Sequence, residues 1–169
     1  MSTGSWFRTH RKSVITHTLI VGAFLLFLLF LAEPLFDRLE RVEGGAKLCD
    51  ITLPNVTNNI TYAFDKFDVQ PSVITVMGWA FIDGQDAVNN QVYLVFKSDS
   101  DVYIFDTVCK LPRGDVANLF RKLGIDVTDS GFLAEILPGK FENGEYTVGI
   151  YISKGDVEAL QYTNRVIKL

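Results

Sequence analysis

Between Val14 and Phe36 the chain reads VITHTLIVGAFLLFLLFLAEPLF, a nearly continuous apolar run, and beyond it the hydrophobic positions break into short alternating stretches. The run has 23 residues, which in a helix rising about 1.5 Å per residue extend roughly 34 Å, enough for the hydrocarbon core of a bilayer. It predicts one transmembrane helix. The alternating stretches are rich in Val, Ile, Tyr, Phe and Thr, and they predict strands over 61–67, 73–82, 91–97, 102–111, 131–137, 146–153 and 159–167. Between them stand turn formers: Asp83-Gly84, Ser98 to Asp101, Pro138-Gly139, Asn143-Gly144 and Lys154 to Asp156.

In the segment from Tyr146 to Ser153, Tyr146, Val148, Ile150 and Ile152 share one face, and Thr147, Gly149, Tyr151 and Ser153 the other, the pattern of a sheet with one buried side. Asn143-Gly144 ahead of it reads as a hairpin turn. Seven such segments predict a mainly β fold, an immunoglobulin-like β-sandwich. One short crossover helix interrupts it. Val116, Leu119, Phe120 and Leu123 recur at helical spacing, Asp115 is placed to cap the N-terminus, Arg121 and Lys122 suit the C-terminal end, and Gly124 suits its close.

The flanks of the apolar run decide how it is used. Its strictly apolar part, residues 19–32, has the size of a signal-peptide core, but no small-x-small cleavage site follows at a suitable distance, so an uncleaved signal anchor is expected. Arg8, Arg11 and Lys12 precede it while residues 37–43 are mixed in sign, which keeps the N-terminus in the cytoplasm. His17, near the inner interface, can stay neutral and reach the headgroups. The organisation expected is a cytoplasmic tail (1–13), a transmembrane helix (14–36), a polar stalk (37–48) and an extracytoplasmic β-sandwich domain (49–169). That makes a single-pass plasma-membrane protein in contact with the lipid bilayer.

Charge supports two environments within the 169 residues. Residues 1–36 carry three cations against Glu33, about +2, whereas residues 37–169 carry 13 Lys and Arg against 19 Asp and Glu, or -6. An acidic outward domain disfavours nucleic acid. His10 and His17 are the only histidines, so the region beyond the anchor has no imidazole for a Ser-His or Cys-His nucleophile or a His-built metal site. No enzyme activity, cofactor or metal is expected.

Candidate chemistry is therefore sparse. Cys49 and Cys109 both fall on the outward, oxidising side and are read as a candidate disulfide, with two buried thiols as the alternative. Asn55-Val56-Thr57 and Asn59-Ile60-Thr61 are sequons, so Asn55 and Asn59 are glycosylation candidates where the host modifies exported chains. Arg113-Gly114-Asp115 spells an adhesion tripeptide, yet Asp115 is better used at the helix. Asp83/Asp86 and Asp99/Asp101 lack the spacing of a calcium loop and read as turns. Trp79 is the candidate ligand-facing aromatic for stacking on a sugar, although its neighbours Val76, Met77, Phe81 and Ile82 are those of a core strand.

In order, Gly78-Trp79-Ala80-Phe81, Val92 to Lys97, Arg113 to Val116 with Phe120, Ser130-Gly131-Phe132 and Gly144 to Tyr151 make residues 60–167 resemble a small extracytoplasmic β-sandwich module. That module is associated with prokaryotic membrane proteins of cell-surface polysaccharide assembly, often following a multi-pass glycosyltransferase. The resemblance implies a sandwich fold and carries no catalytic residue onto this chain, which has one membrane helix and no transferase portion. The function expected is a membrane-anchored, non-enzymatic binding or accessory module that presents its sandwich to a membrane protein partner or a cell-surface glycan. The alternatives are a carbohydrate-active enzyme or its glycan-binding subunit, and a structural subunit held in a complex through its membrane helix.

Overall fold

The structure is a computed structural model that describes residues 45–169; the segments expected to form a cytoplasmic tail, a transmembrane helix and most of a stalk lie outside the described residues. Among those residues no helix is long and apolar enough to cross a membrane. Where apolar and polar positions alternate, eight strands form: β1 (Ile60–Val69), β2 (Ile74–Ile82), β3 (Gln91–Lys97), β4 (Val102–Asp106), β5 (Val108–Leu111), β6 (Gly131–Ile136), β7 (Glu145–Lys154) and β8 (Val157–Lys168). They pair antiparallel in two four-stranded sheets, ordered β1-β2-β6-β5 and β4-β3-β7-β8.

The eighth strand arises because the continuous β-prone run from Val102 to Leu111 is cut at Thr107, where the chain leaves one sheet and enters the other. Thr107 is buried, and its hydroxyl donates to the Val92 carbonyl at 2.8 Å, satisfying an acceptor that β4 no longer reaches. Asn143-Gly144 likewise is no hairpin. The chain passes there from β6 in one sheet to β7 in the other, and Gly144 exchanges both backbone hydrogen bonds with Leu169, each 3.0 Å.

The core lies between the sheets. Ile74, Val76, Ala80, Ile82, Phe132, Ala134 and Ile136 face Val92, Leu94, Phe96, Phe105, Tyr146, Val148, Ile150 and Ile152, all fully buried or nearly so. Each outer face is also partly covered. Over the β4-β3-β7-β8 sheet, Cys49, Ile51 and Leu53 close on Val95, Ile104, Tyr151 and Leu160. The sequence pattern assigned Tyr151 to an open face, but this strap of residues 46–57 buries it.

The strap is pinned at both ends. Cys49 N donates to Ile104 O at 2.7 Å and Asp106 N to Lys47 O at 3.0 Å, while Thr57 N donates to Leu160 O at 2.8 Å on the far strand. Residues 46–48, assigned to the stalk by composition, thus hydrogen-bond to the domain.

The other sheet is covered at one end by helix α1 (Gly114–Phe120), continued by a 3₁₀ turn over Arg121–Leu123. Val116, Ala117 and Phe120 meet Phe81, Ala87 and Val127. Leu119 and Leu123, counted on the same face from their spacing, are 70% and 58% exposed: the packed face is centred on Val116, Ala117 and Phe120, which leaves Leu119 on its flank, and Leu123 falls in the tighter 3₁₀ turn. Gly124 does close the turn, at φ +70°.

Candidate functional site

The residues singled out from the sequence lie in separate places and form no common site. Cys49 and Cys109 are free thiols, so the expected bridge is not formed. Cys49 joins the strap cluster, whereas Cys109 joins the inter-sheet core and accepts from Val92 N at 3.1 Å. Burial pushes both thiols up, with Asp106 adding to it at Cys49, so neither is poised as a thiolate. The sulfur of Cys109 instead works beside Thr107, 3.0 Å away, at the point where the chain changes sheets.

Asn55 and Asn59 stand differently. Asn55 is exposed in the strap, while the Asn59 side-chain oxygen is buried without a hydrogen-bond partner at the start of β1. Trp79 is half-buried, stacked on Phe81 at 6.0 Å between centroids and met edge-on by Phe120 at 5.6 Å. Its flat faces are shared with neighbours and do not make an open sugar platform.

The acidic residues are engaged locally. Asp83 accepts from the Thr61 hydroxyl, Asp86 from Asp126 N at 2.7 Å, and Asp101 from the Ser100 hydroxyl. Among the described residues no group of three or more His, Cys, Asp and Glu is placed to hold a metal ion. Asp115 is not the helix cap: the capping position is Arg113, with no side-chain cap bond, and Asp115 sits in the first turn. Arg113 forks to Asp115 through Nε at 2.9 Å and Nη2 at 2.6 Å, and Nη1 reaches Asp65 on β1. Those hydrogen bonds hold the Asp115 carboxyl down to about 2. The adhesion tripeptide is therefore tied into an ion-pair bridge across the outer side of the β1-β2-β6-β5 sheet, passing over Gly131, where the absence of a side chain leaves room for the Arg113 stem.

What the sequence pattern did not single out is the flank where β1 and β8 run side by side. A shallow groove of about 390 Å³ opens there, lined by Phe67, Val69, Arg165, Val166, Ile167 and Lys168. It is built by an irregularity in β8. Thr147 pairs with Val166 and Gly149 with Tyr162, so β8 carries two more residues than β7 across this step. Buried Thr163 takes up the slack: its hydroxyl donates to Val148 O at 2.8 Å and accepts from Arg165 N at 3.1 Å. The bulge turns Arg165 over the rings of Phe67, 4.8 Å from the centroid, and Phe64, 5.5 Å.

Two charges line the groove and both are positive, in a domain that is acidic as a whole. Among the described residues no carboxylate lies within ion-pairing distance of Arg165, and Lys168 touches only Glu145, at 3.6 Å with both side chains largely exposed. The sequence did hold a signal for this corner: Arg165 and Lys168 flank Val166 and Ile167 at the end of the last strand. What it lacked was the bulge that aims them.

No family model matches the chain, and neither does any curated protein or solved structure.

Proposed function

We propose that the chain is a membrane-anchored extracytoplasmic binding module without enzymatic activity, which holds a β-sandwich close to the bilayer and engages a partner protein along the β1/β8 flank. The observation that carries this reading is the groove itself, an exposed concave surface whose two charges have one sign and whose apolar residues, Val69 and Val166, are 41% and 60% exposed. The anchor contributes placement. A segment of 23 largely apolar residues confines the domain to the membrane surface, which raises the local concentration of any membrane-bound partner.

The strand order supports an immunoglobulin-like assignment. Taken as A, B, C, C′, D, E, F and G in chain order, the sheets read A-B-E-D and C′-C-F-G, the arrangement of that sandwich class. Such folds bind through loops, sheet faces or edges, so the fold alone names no ligand. Here the strap and helix α1 occupy much of both outer faces, which leaves the flank as the surface for contact.

The glycan-binding alternative needs an open aromatic ring, and Trp79 is shared between Phe81 and Phe120. The reading is tested with the tagged full-length chain in its native membrane, carrying a photo-crosslinking residue at Val166 or, as a control, at exposed Lys122. A stoichiometric membrane protein that crosslinks from Val166 and not from Lys122 is the expected result. A chain that purifies alone, crosslinks to nothing at Val166 and binds an acidic or neutral glycan array would replace the protein partner by a glycan.

A further inference from the structure

We propose that the open half of β8 takes up an extended acidic peptide segment of the partner as an added strand, with Arg165 and Lys168 meeting its carboxylates. This rests on the reading of the chain as a binding module and names the mode and chemistry of the contact.

The backbone supplies the first argument. Gly144 and Leu169 exchange both of their hydrogen bonds, which fixes the phase of the β7–β8 ladder. Antiparallel pairing alternates, so Ile167 opposite Tyr146 turns its N–H and C=O toward β7, while Val166 and Lys168 turn theirs away, to the open edge. β8 is the last strand of its sheet, and nothing in the described chain pairs with that edge beyond Leu160. The first half of the same edge is already used in this way: Thr57 N and Asn58 N both donate to Leu160 O, at 2.8 and 3.4 Å, and the Thr57 hydroxyl lies 3.2 Å from Leu160 N. The chain's own strap thus pairs with this edge at Leu160 and leaves the end at Val166–Lys168 free among the described residues.

Charge supplies the second argument. A peptide strand lying along Val166–Lys168 enters the groove between β8 and β1, where the charged lining residues are Arg165 and Lys168. Alternating aliphatic and acidic side chains suit it, the acidic ones on the side turned to β1 reaching Arg165 and the aliphatic ones on the other side resting on Val166, with Lys168 adding its charge at the end of the strand. β1 is the poorer acceptor of the two flanking edges. Its pairing shifts between Phe64 and Lys66, and the residues around that shift, Asp65, Lys66 and Asp68, are mixed in charge.

The test uses the full-length chain in nanodiscs and an N-acetylated, C-amidated heptapeptide of alternating Val and Glu, followed by fluorescence anisotropy of a labelled copy. Saturable binding that weakens with salt is expected. It should fall at least about tenfold for Arg165→Glu and about threefold for Lys168→Gln, whose side chain is 82% exposed and which sets no like charge opposite Glu145. Val166→Pro removes a single outward N–H from an edge strand, so it should weaken binding about tenfold while thermal unfolding stays within a few degrees. A Val/Lys heptapeptide, and a Val/Glu heptapeptide N-methylated at alternate residues, should not bind.

Equal binding of the acidic and basic peptides overturns the proposal, as does binding of the N-methylated form or an unchanged affinity in Val166→Pro. Arg165-dependent binding of an acidic oligosaccharide without peptide binding assigns the cations to a glycan and also overturns it. If the native partner still co-purifies with Val166→Pro at wild-type yield, the edge proposal fails and the binding-module reading stands; if wild type has neither partner nor peptide affinity, both fail.

Discussion

On the β4/β5 flank the chain closes its own edge, whereas on the β1/β8 flank the end of β8 is left unpaired among the described residues. Along β4, Leu48 bridges to Phe105, and Lys47 and Cys49 hydrogen-bond to Asp106 and Ile104. At Thr107 the strand crosses to the other sheet, so one continuous backbone links the sheets there. Along β8 the strap stops at Asn58, and beyond Gln161 the edge faces the groove. Both flanks solve the same local problem with the same device, a buried threonine whose hydroxyl donates to a stranded carbonyl at 2.8 Å: Thr107 to Val92 O and Thr163 to Val148 O. On one flank the threonine completes a closure; on the other it shapes a bulge that presents Arg165. An irregularity kept on the open side, where no crossing requires it, is the kind expected at a surface that binds.

The largest effect should separate the flanks by stability alone. Phe105 is fully buried and meets Phe96 at 5.9 Å and Phe141 at 5.2 Å, so Phe105→Ala should cost about 3 to 5 kcal/mol. Phe67 is half-buried at the groove, and Phe67→Ala should cost about 1 to 2 kcal/mol. Denaturant unfolding of both variants measures the difference; equal losses would mean that the groove side is as much a part of the core as the closed side.

The next is steric. Gly78 lies on β2 where a Cβ would collide with the Ala63 carbonyl oxygen on β1, next to the point where the β1–β2 register shifts. Gly78→Ala must push β1 outward at a cost of about 3 kcal/mol. It should also disturb the groove, since β1 carries Phe64 and Phe67 beneath Arg165. Loss of stability with intact Val/Glu peptide affinity would show that the groove does not depend on the position of β1.

The threonine pair sharpens the comparison further. Thr107→Val and Thr163→Val each strand a buried carbonyl, and each should lose about 1 to 3 kcal/mol. Their other consequences should diverge. Thr163→Val frees Arg165 N as well and should weaken peptide binding, whereas Thr107→Val should leave binding unchanged, as titrations at matched folded fraction would read.

How far each flank could be foreseen follows from what fixes it. β3 was legible residue for residue, Gln91 to Lys97, because local alternation and turn residues bound it at both ends. The break at Thr107 was not, since Val102 to Leu111 is uniformly β-prone and the crossing depends on where Val92 and Cys109 come to lie in space. The spacing of Val116 and Phe120 suffices to locate helix α1, but Asp115 does not cap it, because nothing in sequence shows that Arg113 would claim its carboxylate. Spacing was equally silent on the cysteines: Cys49 and Cys109 are free here and belong to separate clusters, one under the strap and one between the sheets. The groove was least legible of all. Its chemistry sits in Arg165 and Lys168, ordinary edge-strand cations until the extra residues of β8 orient them.

The smallest effect concerns the tie between the flanks. Arg113 follows β5 on the closed side and reaches Asp65 on β1, and its other contacts are to Asp115. Because the Asp115 carboxyl falls from 3.8 to about 2 in the folded chain, the unfolded chain binds its proton first as the solution is acidified. The contribution of this pair is therefore complete above about pH 4 and lost as the pH falls toward 2. Asp115 is exposed and the pair is screened by solvent, so the loss should be modest and should shrink further in high salt. Asp126, held down by Thr128, adds a loss of the same sign, so Asp115→Asn should flatten the decline of the unfolding midpoint between pH 5 and pH 2 without abolishing it. A profile identical to wild type would mean that the Arg113–Asp115 pair adds nothing to the acid stability of the fold and that Arg113 holds the two edges of the sheet through its contact with Asp65 alone.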